Sequence, residues 1–163
     1  MSISEITIRP DDLTSEDVLA LLRIHLENAA LHSPPESVHA LAPEALRSAD
    51  VTFWSAWDGT RLLGCGALKE LDPAHGEVKS MHTVERSRGQ GVGAAILTHI
   101  IAEAERRGYR RLSLETGSME AFAPARALYS RFGFTLCEPF ADYTLDPYSS
   151  YMTCELAQRE ALA

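Results

Sequence analysis

Six residues near the middle of the chain, Arg88-Gly89-Gln90-Gly91-Val92-Gly93, have the types and spacing needed to hold an anion. They lie between a strand-like apolar stretch and a segment of helical periodicity, so they form the entry to a helix. The first turn of a helix leaves backbone N–H groups unpaired and carries partial positive charge. Glycines let a phosphate approach those amides with no Cβ in the way, and Arg88 adds a planar donor at the mouth. Two kinds of phosphate ligand compete for such a loop. Read as Gly89-Gln90-Gly91-Val92-Gly93-Ala94, the segment fits the GxGxxG/A dinucleotide fingerprint, and Glu115 falls about where the ribose-binding acid of that motif belongs. The context argues against it. That fingerprint opens a first βαβ unit through a tight turn, whereas antiparallel strands precede this loop and Glu85-Arg86-Ser87 lengthens its turn.

The periodicity around the loop defines the elements that must position it. A helix is expected from about Gln90 to Arg107, where Val92, Ile96, Ile100 and Ala104 recur every four residues beside Leu97 and Ile101, giving one apolar face. Gly108 stands where a C′ glycine stops a helix. The strand feeding the loop is expected over Glu77–Val84, after the turn Asp72-Pro73-Ala74-His75-Gly76. Upstream, Val51–Trp57 and Leu62–Leu71 form strands joined across Asp58-Gly59, a strong hairpin signal. Before them come a short strand, Ser4–Arg9, and a helix capped at Thr14-Ser15-Glu16-Asp17 that carries Val18, Leu21, Leu22 and Leu26 at helical spacing. A shorter helix covers Pro43–Ser48. Downstream are a strand at Arg111–Glu115 and a helix at Phe122–Phe132 with Pro124 in its first turn. Strands at Phe134–Cys137 and Ser149–Glu155 follow. The order β-α-α-β-β-β-α-β-α-β-β places hairpins first and one strand–helix–strand crossover centrally, which is an α+β sheet with helices on its faces.

Length and composition bound the function classes. One domain over 1–163 is expected from the length, and the hydrophobic fraction of 45% and charged fraction of 23% are ordinary for a globular chain. Fifteen Lys+Arg against 23 Asp+Glu give a net charge of −8, which disfavours nucleic acid and anionic membrane as partners. No apolar run approaches the about 20 residues that span a bilayer, and no secretory signal opens the sequence, so the expected location is the cytoplasm. The basic residues nonetheless cluster: Arg86, Arg88, Arg106, Arg107, Arg110 and Arg111 face only Glu103 and Glu105 between positions 86 and 111. Arg106 and Arg107 end a helix, where cations suit the macrodipole, so they are taken as structural and Arg88 as functional. Cys65, Cys137 and Cys154 have no metal spacing, and the six histidines show none either. His25, His32 and His39 recur every seven residues, but Pro34 and Pro35 break any continuous helical face between them. No metal site is expected.

Arg-x-x-Gly-x-Gly after a strand resembles the acyl-CoA signature of the GNAT superfamily of N-acetyltransferases. A second family signature follows on the expected helix: Ala125-Arg126-Ala127-Leu128-Tyr129, then Phe132-Gly133-Phe134. The likeness is strongest from Glu77 to Phe134. It is closest to a branch of small bacterial members, the YsnE-like proteins, which Ser33-Pro34-Pro35-Glu36-Ser37, Gly76-Glu77-Val78-Lys79-Ser80-Met81, Asp142-Tyr143 and Asp146-Pro147 resemble. The resemblance implies a GNAT-like mixed, mostly antiparallel sheet with helices on both faces, acetyl-CoA as donor, and the amine of a small molecule as acceptor. A homodimer is common in the family.

The resemblance also implies roles. The strand before the loop parts from its neighbour, and its exposed backbone pairs with the pantetheine arm. That implicates Met81, His82 and Thr83, with an amide there stabilising the carbonyl oxygen's charge. The loop Arg88, Gly89, Gln90, Gly91, Val92, Gly93 and Ala94 holds the pyrophosphate, and Phe122 and Ala125 border the arm. Many members carry asparagine where Phe122 stands, so that contact is apolar or absent here. Tyr129 is the implied general acid toward the leaving thiolate. Glu77, eleven residues before Arg88, lies where some members place a general base; it could equally be a strand glutamate paired with Lys79. Glu70 and Glu115 are alternates, and a water chain could replace a dedicated base. The first helices and last strands wall the acceptor site, which makes Glu36, Ser37, His39, Asp142 and Tyr143 candidate substrate contacts. No cysteine adjoins the motifs, so direct attack is expected rather than an acetyl-enzyme. A non-catalytic acyl-CoA sensor would keep the loop and need neither Tyr129 nor Glu77, and an NAD(P)-dependent oxidoreductase is the third alternative.

Overall fold

The computed structural model describes residues 2–156; residue 1 and residues 157–163 of the expected 1–163 domain lie outside the described residues. The elements run β1 (Thr7–Pro10), α1 (Glu16–His32), α2 (Pro43–Leu46), β2 (Val51–Asp58), β3 (Arg61–Asp72), β4 (His75–Thr83), α3 (Val92–Arg106), β5 (Arg111–Gly117), α4 (Ala123–Arg131), β6 (Thr135–Leu136) and β7 (Ser149–Glu155). This is the order expected from periodicity. Boundaries moved where turn chemistry decided them. β4 starts at His75 because Asp72 Oδ1 accepts from the Ala74 N–H at 2.7 Å and tightens the preceding turn. β6 keeps only Thr135–Leu136, both exposed at the sheet edge.

The sheet has seven strands in the order β1-β2-β3-β4-β5-β7-β6. Every pairing is antiparallel except β4 with β5, the pair that α3 bridges as a crossover. Both faces are covered. On one, the α3 residues Ile96, Leu97, Ile100 and Ala104 pack with Trp54, Leu63 and Leu68. On the other, Val18, Leu21 and Leu22 of α1 and Leu46 of α2 pack with Phe53, Trp57, Cys65 and Ala67. Consecutive residues Leu62–Leu68 of β3 are therefore all buried, because alternate side chains enter opposite cores. The expected Ser15 cap is present: its hydroxyl accepts from the Val18 N–H at 3.3 Å, with Glu16 and Asp17 in the first turn.

The feature that shapes the function is where β4 and β5 part. Their parallel register covers only His75↔Arg111, Gly76↔Leu112 and Glu77↔Ser113. Beyond it β5 continues on β7, while β4 stays with β3 through an irregularity between Cys65 and Ala67. Ser80, in that irregular stretch, has a left-handed φ of 55°, a costly conformation for a non-glycine residue that marks an imposed kink. The second half of β4 thus faces an opening rather than a neighbouring strand.

Ile100 is fully buried where α3 meets the sheet. Ile100→Ala is expected to lower unfolding free energy by about 2–5 kcal/mol through lost burial and a residual cavity, read as a shift in the urea midpoint at unchanged m-value.

Candidate active site

A cleft of about 900 Å³ fills the opening between β4 and β5. One wall is β4 from Val78 to Thr83, and the other is the β5 end Glu115–Gly117 with Pro124, Ala125, Leu128 and Tyr129 of α4. Arg88, Gly89, Gly91, Val92, Gly93 and Ala94 line it at the entry to α3. His25, Asn28 and His32 of α1, with Ser37 and His39 beyond it, border it from the other face of the sheet.

The entry to α3 has the geometry of an anion cradle. Gly91 occupies the N-cap with φ 85°, ψ 9°, and Gly89 has φ 75°, left-handed values that L side chains rarely adopt. No Cβ stands before the amides that open α3. Arg88 is exposed and makes no ion pair or side-chain hydrogen bond among the described residues. The neighbouring arginines differ: Arg106 and Arg107 both bind Glu103, and Arg111 binds Glu155. Of the cluster noted in sequence, the helix-end pair is structural and Arg88 is free for a ligand. Gln90 lies outside the cleft lining, its side chain donating to the Arg86 carbonyl at 3.4 Å.

Tyr129 is buried in the cleft wall, and its hydroxyl has no hydrogen-bond partner among the described residues. Burial pushes its phenol well above the usual range, and the charge of nearby Glu115 adds to this. The group stays protonated and is available as a donor. Glu115 also lines the cleft. Burial raises its carboxyl pKa, opposed by a hydrogen bond from the Ser149 hydroxyl at 2.8 Å and by the charges of His39 and Lys79.

Glu77 is buried but is not part of the cleft lining. Its Oε2 takes the Lys79 ammonium at 3.1 Å and the Tyr143 hydroxyl at 2.5 Å, and Tyr143 also accepts from Lys79 at 2.9 Å. The carboxylate is thereby engaged in holding a triad between β4 and the β6–β7 connection. His39 packs edge-on against Tyr143, ring centroids 4.9 Å apart.

Of the expected cofactor contacts, Met81, His82, Thr83, Phe122 and Ala125 all reach the cleft. Phe122 presses onto Gly117, where a Cβ would come within 2.1 Å of its ring, so the asparagine-type contact is replaced by an apolar wall. Of the expected acceptor contacts, Ser37 and His39 line the cleft, Tyr143 braces it from behind, and Glu36 and Asp142 are exposed away from it. Ser37 is anchored by its hydroxyl to Asp146 at 2.6 Å. Periodicity missed His25, Asn28 and His32. The prolines do end α1 after His32, yet the chain turns back through Pro35–Ser37 and returns His39 to the cavity that the other two histidines face. The seven-residue recurrence was the available signal. Among the described residues no His, Cys, Asp and Glu group could hold a metal ion, and no helix is long and apolar enough to cross a membrane.

A sheet that opens beside a glycine-capped helix entry, with a buried phenol in the cleft wall, is the arrangement the sequence motifs lead one to expect of an acyltransferase. Among the described residues there is no doubly wound sheet of the kind a dinucleotide-binding oxidoreductase needs, since β3 pairs antiparallel with both β2 and β4. Residues 18–134 match the Acetyltransferase (GNAT) family, and the chain belongs to that family: it is an N-acetyltransferase. It is 59% identical over 149 residues to the uncharacterized N-acetyltransferase YsnE of Bacillus subtilis, covering 91% of this chain and 99% of that one. With the uncharacterized N-acetyltransferase YedL of Escherichia coli it shares 48% over 156 residues, covering 96% and 98%. A crystal structure of a candidate acyl-CoA N-acyltransferase from Klebsiella pneumoniae superposes with a TM-score of 0.74 at 28% identity, covering 93% of this chain and 97% of that one. These relatives place the chain in the same small bacterial branch.

Arg88→Ala is expected to weaken acetyl-CoA binding about tenfold, the loss of one charge-assisted contact of roughly 1.5–3 kcal/mol, while leaving the melting temperature unchanged. Titration calorimetry would check it; an unaltered Kd would remove Arg88 from the cradle.

Proposed function

We propose that this protein moves the acetyl group of acetyl-CoA onto the amine of a small molecule by direct attack. The observation that carries this reading is the continuity of one cleft, from the free Arg88 and the glycine-capped α3 entry to Tyr129 and Glu115 at its other end. The residues present suit the donor. The unpaired half of β4 offers backbone to a pantetheine arm, and the buried Ser80 hydroxyl, in a residue that lines the cleft, has no partner among the described residues.

On this reading Arg88 and the amides opening α3 hold the pyrophosphate, and the β4 edge aligns the acyl group. The Met81 amide is placed to bond the carbonyl oxygen as charge develops there. Tyr129, kept neutral by burial, supplies a proton to the departing thiolate. Glu115 rather than Glu77 is the carboxylate that meets the incoming ammonium, because Glu115 faces the cleft and Glu77 is spent on Lys79 and Tyr143. Glu77 acts by fixing those two side chains, and His39 and Ser37 border the acceptor. The three cysteines take no part: Cys65 and Cys154 are buried, and burial pushes the Cys65 thiol up to about 12, far from a reactive thiolate.

The donor is tested by thermal shift with acetyl-CoA, CoA, NAD and NADP. A ligand at 100 times its Kd adds about 2.7 kcal/mol to the folded state, so stabilisation by the CoA species alone is expected, and a response confined to NAD or NADP would overturn the reading. The chemistry is tested by Tyr129→Phe in a thiol-release assay over a panel of primary amines. The variant should lose about 10²-fold in kcat with KM for acetyl-CoA unchanged, and an unchanged kcat would take the phenol out of the mechanism. Acetyl-CoA binding with no turnover of any amine would instead favour an acyl-CoA sensor.

A further inference from the structure

Attack on a thioester requires a neutral amine, yet an aliphatic amine enters the cleft as an ammonium ion. Something must take one proton and deliver it outside. Glu77 is engaged elsewhere, and Glu115 can receive a proton but offers only one end of a path. Across the cleft from Glu115, two imidazoles supply both ends.

His25 of α1 and His82 of β4 both line the cleft, with their Nδ1 atoms 3.0 Å apart. The rings meet edge to face, centroids 5.1 Å apart at 82°. Neither ring makes another side-chain hydrogen bond among the described residues, and neither Nε2 is a buried atom without a partner. Two neutral imidazoles can share a hydrogen bond between Nδ1 atoms in one way only. One ring carries its proton on Nδ1 and donates, so its Nε2 is a bare lone pair. The other accepts on Nδ1, so its proton sits on Nε2. Both rings are neutral near pH 7. Burial, then the charges of His82 and Lys79, lowers His25 to about 4; burial, then Arg88, lowers His82 to about 4. The pair therefore presents one proton acceptor and one proton donor to the cavity, joined by a hydrogen bond.

We propose that His25 and His82 form a two-imidazole relay that takes a proton from the acceptor ammonium at one Nε2 and releases a proton to water at the other. The N–H bond of the ammonium breaks, and its electron pair stays on nitrogen as the nucleophile. The proton forms an N–H bond at the bare Nε2, the Nδ1 proton of that ring passes to the partner's Nδ1, and the partner's Nε2 proton leaves as hydronium. Nothing is oxidised or reduced. The two tautomers are exchanged by the passage and reset through water in the open cleft. Low basicity keeps the proton from lodging on the pair, which suits a conduit rather than a store. When the amine then forms its C–N bond and the C–S bond breaks, the thiolate takes the Tyr129 proton and the second amine proton restores the phenol. Met81, whose amide is the proposed partner of the carbonyl oxygen, lines the same cleft as both imidazoles. The alternative is that the pair merely latches α1 to β4. The relay rests on the acetyltransferase reading, and its tests are chosen to fail separately from it.

The hydrogen bond is read without turnover, from the imidazole ¹⁵N–¹H spectrum of the CoA-bound protein at pH 7. One Nδ1–H and one Nε2–H on two neutral rings are expected; a charged ring, or no Nδ1–H, would overturn the relay whether or not an acceptor has been found. The relay function is read with His25→Asn, whose amide keeps a hydrogen-bonding group near the Nδ1 position but has no second ring nitrogen. Using the fastest amine of the panel, its kcat should fall about 10²-fold, with the acetyl-CoA KM and the melting temperature close to wild type. Raising the pH through the acceptor's own pKa should close the gap, since neutral amine then arrives unaided. Lys79 of β4 and Arg88 of the loop, the charged groups facing the pair, are the same in both proteins. A kcat within about twofold of wild type, or a deficit that stays constant at every pH, would leave the pair a structural latch.

Discussion

Backbone hydrogen bonding in β4 is the constraint on which the rest of the molecule depends. A strand in the middle of a sheet must pair on both sides, and unpaired amides shut away from water are costly. β4 pairs with β5 over only three register positions and then runs free. Closing the gap would restore those bonds and abolish the cleft. The gap persists because β5 is drawn the other way by its seven-residue register with β7, while β4 is held to β3 across the kink at Ser80. The α3 entry fits beneath the opening because Gly93 allows Leu128 of α4 to approach, a Cβ there being 3.1 Å from it. The unpaired half of β4 thus leaves backbone groups facing the cleft, open to a ligand with amides of its own.

The two buried carboxylates beside the opening show how burial divides labour between residues of one type. Both sit on neighbouring strands, and neither is exposed. Glu77 has a cation and a phenol within hydrogen-bond reach, so its charge is compensated and it serves as an anchor. Glu115 has only the Ser149 hydroxyl, so desolvation dominates and its carboxyl binds a proton more readily. The same desolvation acts on Tyr129 and keeps it a donor. A protonated phenol and a carboxylate in one cleft, both shifted upward by burial, are the kind of pair that acid–base chemistry uses.

How much of this was legible in the chain differs by kind of residue. The element order followed from periodicity and turn residues because both cores are continuous and each helix presents one apolar face. The loop 88–94 was legible because glycine with a left-handed φ has few substitutes. Glu77 was harder: its spacing from Arg88 places it on β4, but spacing cannot show that Tyr143, 66 residues later, occupies its carboxylate. Nor can it show which alternate carboxylate faces the cavity. Glu115 stood in the sequence as one of two alternate bases, and the other, Glu70, receives the Tyr109 hydroxyl at 2.7 Å away from the cleft. The histidines were set aside on a correct local argument. Pro34 and Pro35 do break the helix, and only the tertiary return of residues 35–39 brings all three to one cavity.

A net charge of −8 does not set the local charge of the cleft. At physiological ionic strength the field of distant surface carboxylates is screened beyond about 8 Å, so the balance is decided within the cleft mouth. Arg106 and Arg107, at the opposite end of α3, share Glu103, and Arg111 pairs with Glu155, so these cations are engaged away from the cleft. Arg88 is not neutralised in this way, and the amides behind it point along the axis of a fifteen-residue helix. Two arginines of the cleft lining, Arg88 and Arg131, make no ion pair among the described residues, so the local charge there is set by these rather than by the net charge of the chain.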